Sequence, residues 1–520
     1  MPKFISVKSE EVNPSSSQSK WSSFQERVSS LPSSIYVVVF LCLAISQGVL
    51  YISHIGPLTI PDHNMHALGS YSLATGQSFN ECVTRIDSYG NEHKSQTLEG
   101  STTFLDLCGN HDNLVGSLLT SSFPYDSSFE KQYEATTSST GITTLPDTDR
   151  FSGAPDSDAY RNRANQYFPL AWATSALGIH LGITFDMNAF DTWQLGRITN
   201  FIFYLIIFSL AIILVPRMKL LVLGIGALPS CVFIGSSLMC DGLIFALCTL
   251  ATCLTIKAML YPDEIPKWIL ASIVAIGFFL TLVKAVYVPV CLGFVLISGS
   301  KLSLKRKLWM LSFIAIGVLI YLAWSHQFSD VAATVNLTDN RSAISADPLR
   351  AIGCILYNIV NLPRLIYKVA QYRSTICDIV LLLGIIFIAI WLLPKKRFCH
   401  FEVLVGAIIA FVSSLAISLF FLLLTWNDFT SMGITTLIKG FQVRYLIPLV
   451  PLILFAQVFL NRAKENTQTR ERPFESRKNK KIGHNYPSST NKKNREFQAL
   501  KLNLQKSTNF LANPNIKRAE

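Results

Sequence analysis

Ionisable side chains gather at the edge of the first apolar segment. Asp62, His63 and His66 follow that segment within the stretch 61–76. On a helix that begins here, Asp62 and His66 share one face because they are four residues apart. Such an acid and base pair could deprotonate a hydroxyl group, and Asp62 with His63 could bind a divalent metal ion. The alternative is that Asp62 only caps an interfacial helix.

Further ionisable and aromatic side chains lie where other apolar segments begin or end. Arg444 opens the last segment, and its guanidinium suits bidentate recognition of a phosphate. Lys284 could bind a phosphate as a point charge, or could extend harmlessly toward the membrane surface. Asp241 needs a partner or a helix N-terminus, and the serines just before it could cap that helix. The predicted substrate-binding residues are Tyr167, Arg197, Asp241, Lys284, Tyr287, Arg444 and Tyr445.

The composition predicts an all-α polytopic membrane protein. Half of the 520 residues are hydrophobic and only 15% are charged, with a mean hydropathy of +0.37, which excludes a large soluble protein. A helix needs about 20 apolar residues to cross a hydrocarbon core of about 30 Å. About ten such spans are predicted, at 34–54, 196–215, 219–236, 239–259, 267–283, 285–300, 308–324, 375–393, 401–424 and 444–461.

Lysine and arginine in the short connections predict the orientation, because they concentrate on the cytoplasmic side. They place a tail over 1–33 and a second, basic and disordered tail over 462–520 in the cytoplasm, on either side of a transmembrane domain over 34–461. The second tail should be attracted to anionic lipid headgroups rather than to nucleic acid, since it has neither interleaved aromatic residues nor a folded module.

Two long connections, 55–195 and 325–374, are then extracytoplasmic. The first is irregular over 80–158, where Cys82 and Cys108 are candidates for a disulfide in an oxidising compartment. Its end, 158–181, is predicted to form amphipathic helices on the membrane surface, with Tyr167 and Trp172 in the interface, or a simple docking helix. The second connection is also too charged to span and apolar enough to lie flat.

Several short motifs occur in a fixed order along 34–461. They are Pro61-Asp62-His63 with His66 and Gly76, Tyr167-Phe168-Pro169, Arg197 with Asn200, Pro229 with Ser236, Ser237 and Asp241-Gly242, Lys284 with Tyr287 and Pro289, and Gly440 with Gln442, Arg444, Tyr445 and Pro448. In these positions the chain resembles a bacterial family of polytopic membrane proteins, domain of unknown function 2142. Two residues depart from the family pattern: His63 stands in place of a Glu, and Val443 in place of a Gly.

This family is distantly similar to the GT-C glycosyltransferases, and the resemblance implies a function by analogy only. It implies an enzyme of the bacterial plasma membrane that transfers a sugar from a polyprenyl-phosphate donor to an extracytoplasmic glycan or protein of the envelope. Asp62 would be the general base, and Lys284 and Arg444 would bind the lipid phosphate. The alternatives are a non-catalytic exporter or assembly partner for envelope polysaccharide, and a structural membrane protein.

Overall fold

The apolar runs of the sequence form helices, because hydrocarbon offers no partners to backbone N–H and C=O groups and a helix bonds them internally. A computed structural model describes residues 31–54, 63–76, 82–86, 92–96, 167–187, 189–262, 264–327, 337–369, 373–391 and 401–459. Within these ranges the secondary structure is almost entirely helical. The predicted tail 462–520 and most of the predicted tail 1–33 lie outside the described residues.

The first half of the chain contains eight helices and one hairpin among its described residues. They are α1 (Ser33–His54), α2 (His63–Thr75), β1 (Cys82–Ile86), β2 (Glu92–Gln96), α3 (Ala173–Thr184), α4 (Ala189–Leu214), α5 (Lys219–Gly226), α6 (Pro229–Gly235), α7 (Asp241–Leu260) and α8 (Lys267–Lys284). A 3-10 turn, Pro169–Trp172, leads directly into α3.

The second half continues with shorter and more interrupted elements. They are α9 (Val288–Cys291), α10 (Leu304–His326), α11 (Leu337–Ala346), α12 (Pro348–Val360), α13 (Leu362–Val369), α14 (Arg373–Trp391), α15 (Phe401–Trp426) and α16 (Ala456–Phe459). Stretches of 3-10 helix occur at Ala285–Tyr287, Leu292–Leu296, Val443–Tyr445 and Ile447–Phe455.

Six described helical runs are long and apolar enough to cross a membrane, or up to seven if the bent pair of α11 and α12 counts as one span. The runs are α1, Asp191–Leu214 within α4, α7, the run Lys267–Leu296, α10 and α15. The chain is therefore a multi-pass membrane protein with an all-α membrane domain. The interval predicted at 267–283 and most of the one predicted at 285–300 fall within a single one of these runs, Lys267–Leu296.

Prolines explain two of the intervals in which a predicted span is not one long helix. The interval 219–236 is divided between α5 and α6, because Leu228 precedes Pro229 and has an extended ψ of 135°. The interval 444–461 is mostly 3-10 helix, which contains Pro448 and Pro451. A hydropathy sum does not register such interruptions.

Helices α4, α7 and α8 form the centre of the described structure. Helix α7 packs against α4 on one side and α8 on the other, and α8 also packs against α10. Nearly all side chains of α7 are buried, from Asp241 to Ala258. By contrast α1, α10 and α15 expose many large apolar side chains, which is the expected arrangement for helices in contact with lipid.

The segment before α4 is more deeply buried than the sequence predicts. Trp172, expected in the membrane interface, is 0% exposed, and α3 packs against both α2 and α4. The reason is close packing at small residues: a Cβ added at Gly69 would lie 2.3 Å from the Trp172 ring, and one at Gly178 would lie 2.3 Å from the Leu195 carbonyl. The part of the predicted amphipathic segment before 167 lies outside the described residues.

Only a small part of the predicted irregular loop is described. There β1 and β2 form an antiparallel hairpin in which Cys82 is opposite Gln96. The sequence predicts an irregular loop in this weakly periodic stretch, so the hairpin is a small regular element that it does not anticipate. Cys108, and the side chain of Cys82, lie outside what the structure describes, so the disulfide stays a prediction.

Candidate functional site

The central acidic residue of the site is Asp241, the first residue of α7. The helix N-terminus favours a carboxylate, because the backbone N–H groups there carry partial positive charge. The serines before it do not cap the helix: Cys240 is the N-cap residue and makes no side-chain capping bond. Ser237 Oγ instead accepts a hydrogen bond from the Met239 backbone N–H at 3.2 Å.

Lys284, the last residue of α8, forms an ion pair with Asp241. Its Nζ donates a hydrogen bond of 2.6 Å to Asp241 Oδ1. The two residues are only 9% and 7% exposed, so the lysine ammonium group lies inside the protein against Asp241 rather than in contact with the surroundings. Burial of a charged pair is costly unless its geometry is good, which makes a functional role worth testing.

Arg444 reaches the same carboxylate from the C-terminal part of the chain. It lies in the 3-10 turn Val443–Tyr445, and its Nε is 3.5 Å from Asp241 Oδ2. Its Nη1 is 3.8 Å from Met239 Sδ. Three distant parts of the sequence therefore place two cations on one buried carboxylate.

Three tyrosines surround the Lys284 ammonium group. Its Nζ lies 5.7 Å from the ring centroid of Tyr167, 5.9 Å from that of Tyr287 and 5.2 Å from that of Tyr445. These distances allow cation–π attraction, which is strongest where water is excluded. Burial raises the pKa of the Tyr167 phenol, although the nearby Lys284 charge opposes the shift, so this tyrosine stays neutral.

His66 joins this group through an aromatic contact. Its ring stacks on Tyr167 with centroids 6.4 Å apart and planes 20° apart, and it lies within electrostatic range of Asp241. Ser70 holds the histidine's helix α2 in place by a 2.7 Å hydrogen bond to Ser175 in α3. Asp62, immediately before α2, lies outside the described residues.

A narrow cleft lies beside Asp241 and Arg444, with room for about one water molecule. Its remaining lining residues are Cys231, Ile234, Gly242, Phe245, Ile447 and Pro448. The walls are therefore mostly apolar, and the charged groups lie at one place. The chemical character of this lining, though not its present width, matches a charged group attached to an apolar body.

The ion pair of Asp241 and Lys284 has hydrogen-bond donors and an acceptor that other described residues do not use. Among the described residues, Asp241 Oδ2 accepts no hydrogen bond, although it faces Arg444. Lys284 Nζ has three N–H donors, and its one hydrogen bond in the described part of the chain goes to Asp241. The site can therefore offer donors to a phosphate and an acceptor to a hydroxyl group.

Arg197 lies apart from these groups. It is 0% exposed, and its guanidinium donates hydrogen bonds to the backbone carbonyls of Tyr51 and Ser236, both at 2.9 Å. Seven of the nine residues predicted for catalysis or substrate binding come together in the site: His66, Tyr167, Asp241, Lys284, Tyr287, Arg444 and Tyr445. Asp62 is outside the described residues, and Arg197 contacts the surrounding backbone.

The sequence prediction omitted several neighbours of the site. Met239 contacts Arg444, and Trp324 donates a 3.0 Å hydrogen bond to the Tyr167 carbonyl. Met239 could have been suspected from its position two residues before Asp241, whereas nothing in the sequence links Trp324 to Tyr167. In the described ranges no three His, Cys, Asp or Glu side chains form a metal-binding group, and the side chain of His63 lies outside them.

Comparison with known proteins agrees with this description of a multi-pass membrane protein. No curated protein and no solved structure matches the chain significantly. One family profile, described as predicted membrane protein (DUF2142), matches residues 43–453 and so spans every residue of the site named above. The chain belongs to this family of predicted membrane proteins, DUF2142.

Proposed function

We propose that this protein is a GT-C-type glycosyltransferase that takes a sugar from a polyprenyl-phosphate donor. The observation that carries the proposal is the meeting of Lys284, Arg444 and Asp241 beside an apolar cleft. A polyprenyl-phosphate sugar combines an anionic phosphate, hydroxyl groups and an apolar chain. The donors of the two cations match the phosphate, and Asp241 Oδ2 matches a sugar hydroxyl.

The chemistry assigned to these residues is simple. A hydroxyl oxygen of the acceptor attacks the anomeric carbon of the sugar, the bond from that carbon to the phosphate oxygen breaks, and the polyprenyl phosphate leaves. Asp62 takes the proton of the hydroxyl, and His66 orients that carboxylate. Lys284 and Arg444 stabilise the negative charge that develops on the leaving phosphate. No step is assigned to a metal ion.

The location of the site supports an extracytoplasmic acceptor, an envelope glycan or protein. Asp241 and Lys284 lie where α7 begins and α8 ends, so Lys257 and Lys267 lie at the opposite ends of these two helices. The positive-inside rule assigns the lysine-bearing ends to the cytoplasm, with both chain termini. The site then faces the outer surface of a bacterial plasma membrane.

Turnover of a labelled polyprenyl-phosphate sugar by the purified protein in lipid nanodiscs tests the proposal. We expect release of polyprenyl phosphate by the wild-type protein. Asp62→Asn should abolish release without weakening donor binding, because it removes the base alone. Lys284→Met should weaken binding, because it removes phosphate donors. Lys257→Met is the matched control, since this lysine lies over the Trp268 ring at the other end of α7.

Two results would contradict the enzyme assignment. One is equal turnover by wild-type protein and Asp62→Asn in folded samples. The other is tight, Lys284-dependent binding of the lipid with no turnover, which would favour the exporter or assembly partner. A comparison of the envelope glycans of a deletion strain with those of its parent would identify the polymer concerned.

A further inference from the structure

The segment that carries Asp241 into the site has no regular structure of its own. Residues 236–240 connect α6 to α7, and a Cβ at Gly242 would lie 2.6 Å from the Gly235 Cα atom, so the two helices are in close contact. Backbone groups of such a link need partners from elsewhere when they are buried. Two side chains of α4 supply them.

Asn200 supplies the larger number of these hydrogen bonds. The two hydrogens of its Nδ2 donate to the carbonyls of Ser237 at 2.7 Å and Met239 at 3.2 Å, and the Gly235 carbonyl shares this group at 3.4 Å. Its Oδ1 accepts a hydrogen bond of 2.6 Å from Thr174 Oγ1 of α3, which fixes the orientation of the amide. The side chain is buried, so these bonds are protected from water.

Arg197, one turn earlier on α4, binds the same link and a second element. Its Nε donates to the Ser236 carbonyl, while Nη2 and Nη1 donate to the carbonyls of Tyr51 at 2.9 Å and Ile52 at 3.4 Å. Tyr51 and Ile52 lie in the last turn of α1, whose carbonyls have no partner within the helix. The chain continues from that turn toward Asp62.

We infer that Arg197 and Asn200 are positioning residues, which fix the link before Asp241 against the last turn of α1 and so set the placement of the Asp241, Lys284 and Arg444 side chains. This assignment replaces a substrate-binding role for Arg197: at least four of its five N–H donors are occupied, three by backbone carbonyls and one by Gln194 Oε1 at 3.1 Å. The expected effect on binding of the polyprenyl-phosphate donor rests on the proposed function, whereas the expected effect on the geometry of the site does not.

Met239 provides a direct reporter, because its sulfur contacts Arg444 and its carbonyl accepts from Asn200. The experiment is methyl NMR of full-length protein in nanodiscs, with carbon-13 in the methionine methyl groups. We expect Asn200→Leu to shift the Met239 methyl resonance and to weaken binding of polyprenyl phosphate about tenfold, the size expected when hydrogen bonds of positioning groups are lost. Arg197→Gln should act similarly, and Arg197→Lys should restore part of the loss.

Thr199→Ala is the matched control, because within the described part of the chain the Thr199 hydroxyl bonds only to carbonyls of its own helix. Thr174→Val serves as a milder variant if Asn200→Leu does not fold, since it removes only the bond that orients the amide. A Met239 shift in Asn200→Leu or Thr174→Val, absent from Thr199→Ala, supports the inference. An unchanged Met239 resonance in these folded variants overturns it.

A binding measurement separates this inference from the proposed function. If wild-type protein binds no polyprenyl phosphate, the proposed function fails and the Met239 resonance alone decides the positioning role. If it does bind, the double variant Asn200→Leu with Lys284→Met should lose less affinity than the two single losses combined, because both act through Asp241. If the two losses of affinity add fully, Asn200 and Lys284 do not both act through Asp241, and the inference is contradicted.

Discussion

Removal of Lys284 is the most direct perturbation of the buried ion pair. Lys284→Met keeps an unbranched apolar side chain of nearly the same length, but it removes the charge that lies 2.6 Å from Asp241 Oδ1 and near the three tyrosine rings. Breaking a buried pair by removing one partner costs about 3–5 kcal/mol, because the other charge stays buried without compensation. Both side chains are at least nine-tenths buried, so no discount for solvent screening is needed.

The structure also predicts an asymmetry between the two partners. After Lys284→Met, Asp241 still faces Arg444 at 3.5 Å, and the cost should fall near the lower limit, about 3 kcal/mol. After Asp241→Asn, two cations remain without the carboxylate between them, and the cost should approach the upper limit, about 5 kcal/mol. The combined variant should cost less than the sum of the two single variants.

The assay is the free energy of unfolding in mixed micelles, measured for the wild type, both single variants and the combined variant. Lys257→Met provides the control, with an expected change below about 1 kcal/mol because its lysine is only partly buried and lies over an aromatic ring. A loss under about 1 kcal/mol for Lys284→Met, or equal losses for both single variants, would refute the reasoning, because such values are typical of solvent-exposed pairs.

Two further substitutions, each with a control, test the helix packing and the hydrogen bonds of the surrounding structure. Gly242→Ala should destabilise the protein by about 1–3 kcal/mol in the same assay, since the new methyl group must push α6 away from α7, whereas Gly384→Ala, which meets open space, should have little effect. Asn427→Ala should cost about 1–3 kcal/mol, because it removes the side chain that bonds both the N–H and the carbonyl of Lys439; Asn361→Ala, whose described side-chain bond goes to the Tyr357 carbonyl in the preceding helix α12, is the control. Equal effects of variant and control in either pair would contradict the corresponding packing or hydrogen-bond argument.

The sequence alone determined the class of the protein and the position of its longest helices. Helices α1, α4, α7, α10 and α15 lie close to the predicted intervals, because hydropathy is a local sum over about 20 residues and depends on no distant partner. The division at Pro229 was also readable in principle, since proline restricts the residue before it. The hairpin and the burial of Trp172 could not be predicted from the sequence. The structure of a weakly periodic segment and the burial of an aromatic side chain depend on which other segments pack against them.

The candidate residues could be chosen from the sequence, because an ionisable group beside an apolar helix is costly wherever the helix packs. The roles of these residues could not be predicted from the sequence. Only the packing of α7 against α8 and the C-terminal segment decides that Asp241 pairs with Lys284, 43 residues away, and with Arg444. Arg197 has the same residue type as Arg444 and was predicted to bind the same ligand, yet its charge lies among backbone carbonyls. An electrostatic interaction is set by distance in space, and helix packing alone determines that distance.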